Sequence, residues 1–189
     1  MTKFEELHKL KDKMEKDNSL PLKKGAGKLV FGSGNTETKI LLIGEGPGRN
    51  EDIQGLPFVG QAGKLLDKLL ILAGLERKKV FITNIVHHRP PENRDPLPNE
   101  IESYCKYLDQ IINIIKPKII ITLGRFSMNK FLPDAKISEV HGKKSVVVVD
   151  DRQTAIIPMY HPAASLRNGK ILEAEKADFI NLKDMLQSI

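Results

Sequence analysis

Short, almost wholly apolar runs at residues 40–43, 80–86, 118–123 and 155–159 limit this chain to few folds. Runs so short and so apolar are expected where a strand is buried on both faces of a sheet. Between them the spacing turns helical. Leu65, Leu66, Leu69, Leu70 and Ala73 share one face before Gly74, and residues 98–115 place Ile101, Leu108, Ile111, Ile112 and Ile115 together. Further helices are expected at 3–17, 126–131 and 173–187, further strands at 29–31 and 146–149, and a turn at 32–35. Strands alternating with helices imply an α/β fold, a parallel sheet covered on both faces and joined by right-handed crossovers.

At 189 residues, with no repeat or linker, the chain is expected to form a single domain over 1–189. It contains no apolar run of membrane-spanning length, and its charged N-terminus is no secretory signal, so a cytoplasmic protein without membrane contact is expected. The net charge of +6 favours a polyanionic partner without proving one. A single cysteine, Cys105, excludes an internal disulfide and any metal site built from several thiolates of this chain.

In open sheets of this kind, ligands bind beyond the carboxyl ends of the strands. The chain's unusual residues gather there. Gly44-Glu45-Gly46-Pro47-Gly48 follows the first apolar run, Asn84 interrupts the second, and His161 follows the last. The glycine loop fits neither the P-loop nor the dinucleotide pattern; it is either a tight strand-to-helix turn or a functional loop. Phe58 is either core or a platform for a flat ligand. Asn84 is either a structural bridge or a reader of a base edge, since an amide offers donor and acceptor side by side. His161, fixed by Pro162, is either a helix cap or a functional group.

GEGPGRNEDIQGLPFVGQAGKLLD, FITNIVHHRPPENRDPLPNE, KPKIIITLG and YHPAASLRN together resemble, in order and spacing, the family 4 uracil-DNA glycosylases, over roughly residues 17–170. The resemblance implies a three-layer α/β/α sandwich around a four-stranded parallel sheet. It implies an enzyme that flips uracil out of DNA, at an unstacking cost of roughly a few kcal/mol, and hydrolyses its glycosidic bond to begin base-excision repair. Carried over, Phe58 stacks on uracil and Asn84 bonds its polar edge. His161 donates to O2 as negative charge builds on the departing base. Glu45, with Gly44, Gly46 and Pro47, lines the pocket and meets base or water. Glu51 and Asn93 match polar positions near the site. Glu45 is the first choice for orienting the attacking water and Glu51 the second. Arg89, Arg94, Arg125, Arg167 and Lys170 are expected on DNA, and Ser165-Leu166-Arg167-Asn168 resembles the loop that fills the gap left by the flipped base.

One expectation departs from the family. Most members hold a four-iron, four-sulfur cluster on four cysteines, and the matching positions here are Asp17, Leu20, His88 and Cys105. Leucine cannot ligate iron, and such clusters need thiolates. No iron-sulfur cluster is expected, nor a zinc ion on Asp17, His87, His88 and Cys105, because adjacent histidines rarely converge on one ion. The expected partner is uracil-containing DNA, met by a monomer. The alternative is a catalytically silent, lesion-sensing DNA-binding protein of the same fold.

Overall fold

The computed structural model describes residues 1–187; the last two residues of the expected 1–189 domain lie outside them. Six strands form one sheet: β1 (Ser33–Gly34), β2 (Ile40–Gly44), β3 (Phe81–Asn84), β4 (Ile119–Leu123), β5 (Ser145–Val149) and β6 (Arg152–Met159), in the order β1-β3-β2-β4-β6-β5. The inner four are parallel, and the two edge strands are antiparallel. The four-stranded parallel core is therefore present, with an antiparallel strand added at each edge.

Helices α1 (Lys3–Lys16) and α4 (Pro98–Ile115) cover one face of the sheet. Leu7, Leu10 and Met14 of α1 share a core with Tyr104, Leu108 and Ile111 of α4. On the other face lie α3 (Gln61–Leu72) and α8 (Gly169–Gln187), which bury Leu66, Leu69 and Leu70 against Phe179 and Leu182. Short helices α2 (Arg49–Gln54), α5 (Arg125–Asn129), α6 (Ile137–Val140) and α7 (Pro162–Ser165) complete the fold. Among the described residues no helix is long and apolar enough to cross a membrane.

Two expectations near the N-terminus change. Residues 29–31 are no strand, although the Val30 N–H donates to the His87 carbonyl at 2.9 Å. The strand falls instead where a turn was expected, because Gly34 lies so close to β3 that a Cβ there would sit 2.0 Å from the Val80 carbonyl oxygen. Only glycine permits that approach. Strand β3 ends at Asn84 rather than at 86, yet the Ile85 and Val86 N–H groups still reach the Gly44 and Glu45 carbonyls at 2.9 and 3.2 Å. The site's first two loops thus run side by side beyond the sheet.

Candidate active site

Register places the site. Gly44 at the end of β2 pairs with Asn84 at the end of β3, and β2 lies between β3 and β4, where the strand order reverses. A cavity of about 300 Å³ opens there, lined by Glu45, Gly46, Pro47, Glu51, Phe58, Asn84, Asn93, Arg94, His161 and Arg167, among others. Every expected substrate residue except Gly44 lines it. Gly44 lies just beneath: a Cβ there would meet Asn84 Oδ1 at 2.4 Å and the Phe58 ring at 2.7 Å. Its missing side chain is the space that lets aromatic and amide meet.

Phe58 belongs to the core and also lines the cavity. It is buried, and its ring lies 5.6 Å from that of His161 with planes 29° apart. Its φ of 52° is left-handed, which costs of order 1–3 kcal/mol in a non-glycine residue and must be held by its surroundings. Arg77 holds it, donating to the Phe58 carbonyl at 2.9 Å while also bonding Asp67 and the Pro57 carbonyl. Glu51 holds the next turn: its Oε1 accepts the Val59 and Gly60 N–H groups at 2.9 and 2.8 Å. Glu51 thus borders the cavity with one oxygen committed to the loop. Arg77 carried no signal in the sequence, since only the folded loop reveals what it touches.

Asn84 is buried, and among the described residues its Oδ1 has no hydrogen-bond partner. An orphaned buried acceptor is costly unless a ligand satisfies it. His161 caps α7, with Nδ1 accepting the Ala163 N–H at 3.1 Å. The cap is present, and it holds the ring at the cavity wall. With Nδ1 an acceptor, the neutral ring carries its proton on Nε2, which becomes the donor. Burial, reinforced by the positive charge of Arg167, lowers the His161 pKa to about 4, so the ring is neutral near pH 7.

Glu45 is the other perturbed group. Burial raises its carboxyl to about 7, with Asp95 adding to the rise and the Phe126 N–H, 3.5 Å away, opposing it. Gly124, at φ 98°, leaves it room, because a Cβ there would stand 2.3 Å from Glu45 Oε1. A carboxyl poised near neutrality beside a neutral imidazole donor is an acid–base arrangement.

The basic residues divide. Arg167 is exposed at the cavity, and Leu166 beside it is 52% exposed at the loop tip. Lys170 is exposed at the start of α8, away from the cavity lining. Arg89 donates to Asn93 Oδ1 at 2.7 Å, and Arg125 pairs with Asp95 at 2.7 Å. Arg94, although at the cavity, grips Glu100 through both terminal nitrogens at 2.8 and 2.6 Å. Its charge is already matched, which the sequence did not reveal.

The cluster positions do not fit an iron-sulfur group. Leu20 is buried core; Asp17 accepts from Tyr107 at 2.7 Å and Lys106 at 2.9 Å. His88 Nδ1 bonds the Tyr104 hydroxyl at 2.7 Å, and burial raises the Cys105 thiol above its usual pKa, against thiolate formation.

A cavity with a buried aromatic and an unsatisfied polar wall, set where strand order reverses, defines the class: an α/β protein with a ligand pocket at the carboxyl edge of its sheet. Comparison with known proteins agrees. Residues 31–183 match the family model of the uracil DNA glycosylase superfamily. The chain is 40% identical to the type-4 uracil-DNA glycosylase of Sulfurisphaera tokodaii, over 96% of this chain and 86% of that one. It is 42% identical to that of Saccharolobus solfataricus, over 98% and 88%, and 42% to that of Archaeoglobus fulgidus, over 82% and 81%. The chain belongs to the uracil-DNA glycosylase superfamily, within its type-4 family.

Proposed function

We propose that this protein is a monofunctional uracil-DNA glycosylase that hydrolyses the bond between uracil and deoxyribose and so initiates base-excision repair. The observation that carries the reading is the meeting, in one cavity of a type-4 family member, of Phe58, the unpaired Asn84 Oδ1 and the neutral, Nε2-protonated His161. DNA is the partner, and the flipped base enters the cavity.

Phe58 supports the ring from below, and Asn84 Oδ1 accepts the uracil N3–H, a donor that cytosine lacks. As the C1′–N1 bond breaks, its electron pair passes to the base. The His161 Nε2–H donates to O2, where negative charge collects, and so lowers the barrier. Water attacks C1′ of the sugar cation and loses a proton, with ionised Glu45 as the group that orients and accepts. Glu51 shapes the loop through Val59 and Gly60 rather than holding water. Arg167 and Lys170 are the exposed cations for phosphate. The reaction needs no metal from this chain, and we read it as cluster-free on the donor set at 17, 20, 88 and 105. One chain supplies the whole cavity, so a monomer is the catalytic unit, working in the cytoplasm where DNA is repaired.

The test is incubation with a uracil-containing oligonucleotide, then alkali. Wild-type protein is expected to yield alkali-labile abasic sites, and His161→Ala to bind with similar affinity but turn over about 10²–10³-fold more slowly. Binding without abasic product in the wild type would instead identify a silent lesion sensor.

A further inference from the structure

The sheet ends at β5, whose outer side pairs with no other strand among the described residues. Its side chains alternate: Val147 and Val149 pack against the core, whereas Val146 and Val148 are 59% and 71% exposed. β5 joins β6 through Asp150 and Asp151, both at positive φ (47° and 60°), the type I′ loop of a two-residue hairpin. Such a loop makes the flanking Val149–Arg152 pair hydrogen-bonded, and the alternation repeats at Val147–Thr154 and Ser145–Ile156. Val146 and Val148 therefore turn their N–H and C=O groups outward, to the open edge.

Charge adds a second constraint. The stretch 143–151 reads Lys-Lys-Ser-Val-Val-Val-Val-Asp-Asp, with opposite charge at its two ends and Val147 at its centre. Lys144 and Asp151 make no ion pair among the described residues, Lys143 only donates to the Glu139 carbonyl, and Asp150 meets Arg152 at a loose 3.4 Å. We propose that β5 pairs antiparallel with β5 of a second copy of this chain, centred on Val147, so that one sheet runs through both copies. In that register Val146 faces Val148 of the second copy, and both present outward hydrogen-bonding groups. Lys144 comes opposite Asp150 of the second copy, and Lys143 opposite Asp151. A one-residue slip sets outward groups against inward ones, and parallel pairing sets lysine against lysine.

The exposed valines cover one another on the otherwise bare face of the strand. The opposite edge, β1, is two residues long, so pairing closes at a dimer instead of propagating. None of residues 143–151 lines the cavity, and the two cavities open in opposite directions. The expected monomer stays the catalytic unit, but at sufficient concentration it is not the only species. A strand-edge interface is small, so association is expected to be weak.

Sedimentation equilibrium over a wide concentration range tests this. The average mass is expected to climb from 21.2 kDa toward twice that value. Val148→Pro removes an outward donor that the hairpin does not use, and is expected to hold the mass at the monomer value with uracil excision per chain unchanged. Asp150→Asn with Asp151→Asn keeps residues that tolerate positive φ, and is expected to weaken the dimer several-fold and flatten its salt dependence. In a Cys105→Ser background, Val147→Cys faces its own mate across a non-hydrogen-bonded pair, about 4.5 Å between Cα atoms, and should form a disulfide dimer on oxidation. Val148→Cys should not. If Val148→Pro misfolds, the two cysteine variants decide. A mass that stays at 21.2 kDa, a dimer that survives in folded Val148→Pro, or cross-linking equal in both cysteine variants overturns the proposal.

Discussion

Glu45 shows at a single residue how the fold sets chemistry. Its carboxyl is displaced to about 7 chiefly because burial penalises the charged form. The reaction as proposed needs the carboxylate, so turnover is expected to rise with pH through about 7 and then level off. Glu45→Gln removes both the base and the titration: kcat should fall on the order of 10²-fold and lose its rising limb. Single-turnover excision from pH 5 to about 9 checks this, and an unchanged limb in the variant would assign the titration elsewhere. His161 does not supply that limb, since its pKa of about 4 leaves it neutral throughout. The sequence pointed to Glu45, Asn84 and His161 because each is a polar residue at or near the end of an apolar run, and to Phe58 as a lone aromatic in the glycine-rich loop that follows the first run. It left two readings open for Phe58, Asn84 and His161; the structure shows Phe58 in the core and His161 as a helix cap, and places both at the cavity where the proposed roles need them.

At the scale of elements, the join between α1 and α4 is held by side chains of this chain. Asp17, at the C-terminal end of α1, accepts from the Ser19 hydroxyl and, across the join, from Tyr107 and Lys106 of α4; these bonds, Ser19's foremost, hold its carboxyl well below the usual range. Leu20, three residues on, is buried in the core that α1 and α4 share. Asp17→Ala is expected to lower stability by about 1–2 kcal/mol, less than a fully buried charged pair would cost because Lys106 is half exposed. Chemical denaturation at pH 7 measures it. The difference from wild type should shrink as pH falls through the depressed pKa, because the stabilisation is present only while Asp17 is ionised. The sequence located these positions by what they lack, namely cysteine. That Tyr107 and Lys106 converge on Asp17 depended on the way α4 lies across α1, and no local spacing encodes a contact between residues ninety apart in the chain.

For the whole molecule, buried titratable groups pull stability in opposite directions with pH. His87, His88 and His161 are held neutral, with pKa values lowered by burial to about 3, 4 and 4. Their contribution is complete above the unfolded value of 6.5 and is lost as pH falls toward the folded values. Glu45 and Glu175, both raised to about 7, do the reverse: they favour the folded state below pH 4.5, and that contribution is lost as pH rises through 7. Thermal midpoints are therefore expected to fall between pH 6.5 and 4, and more steeply in Glu175→Gln, where one opposing carboxyl is gone. A shallower fall in that variant would reverse the assignment. By itself the sequence determined the parallel core, the helices that cover it and the three strand ends that build the site, because buried strands must be apolar and a ligand-binding edge must interrupt them. Only the tertiary structure decided the edge strand β1, the short helices α2, α6 and α7, the tautomer of His161 and which arginines are already paired within the chain. Those depend on contacts between segments distant in sequence, whose free energies no local pattern of residues records.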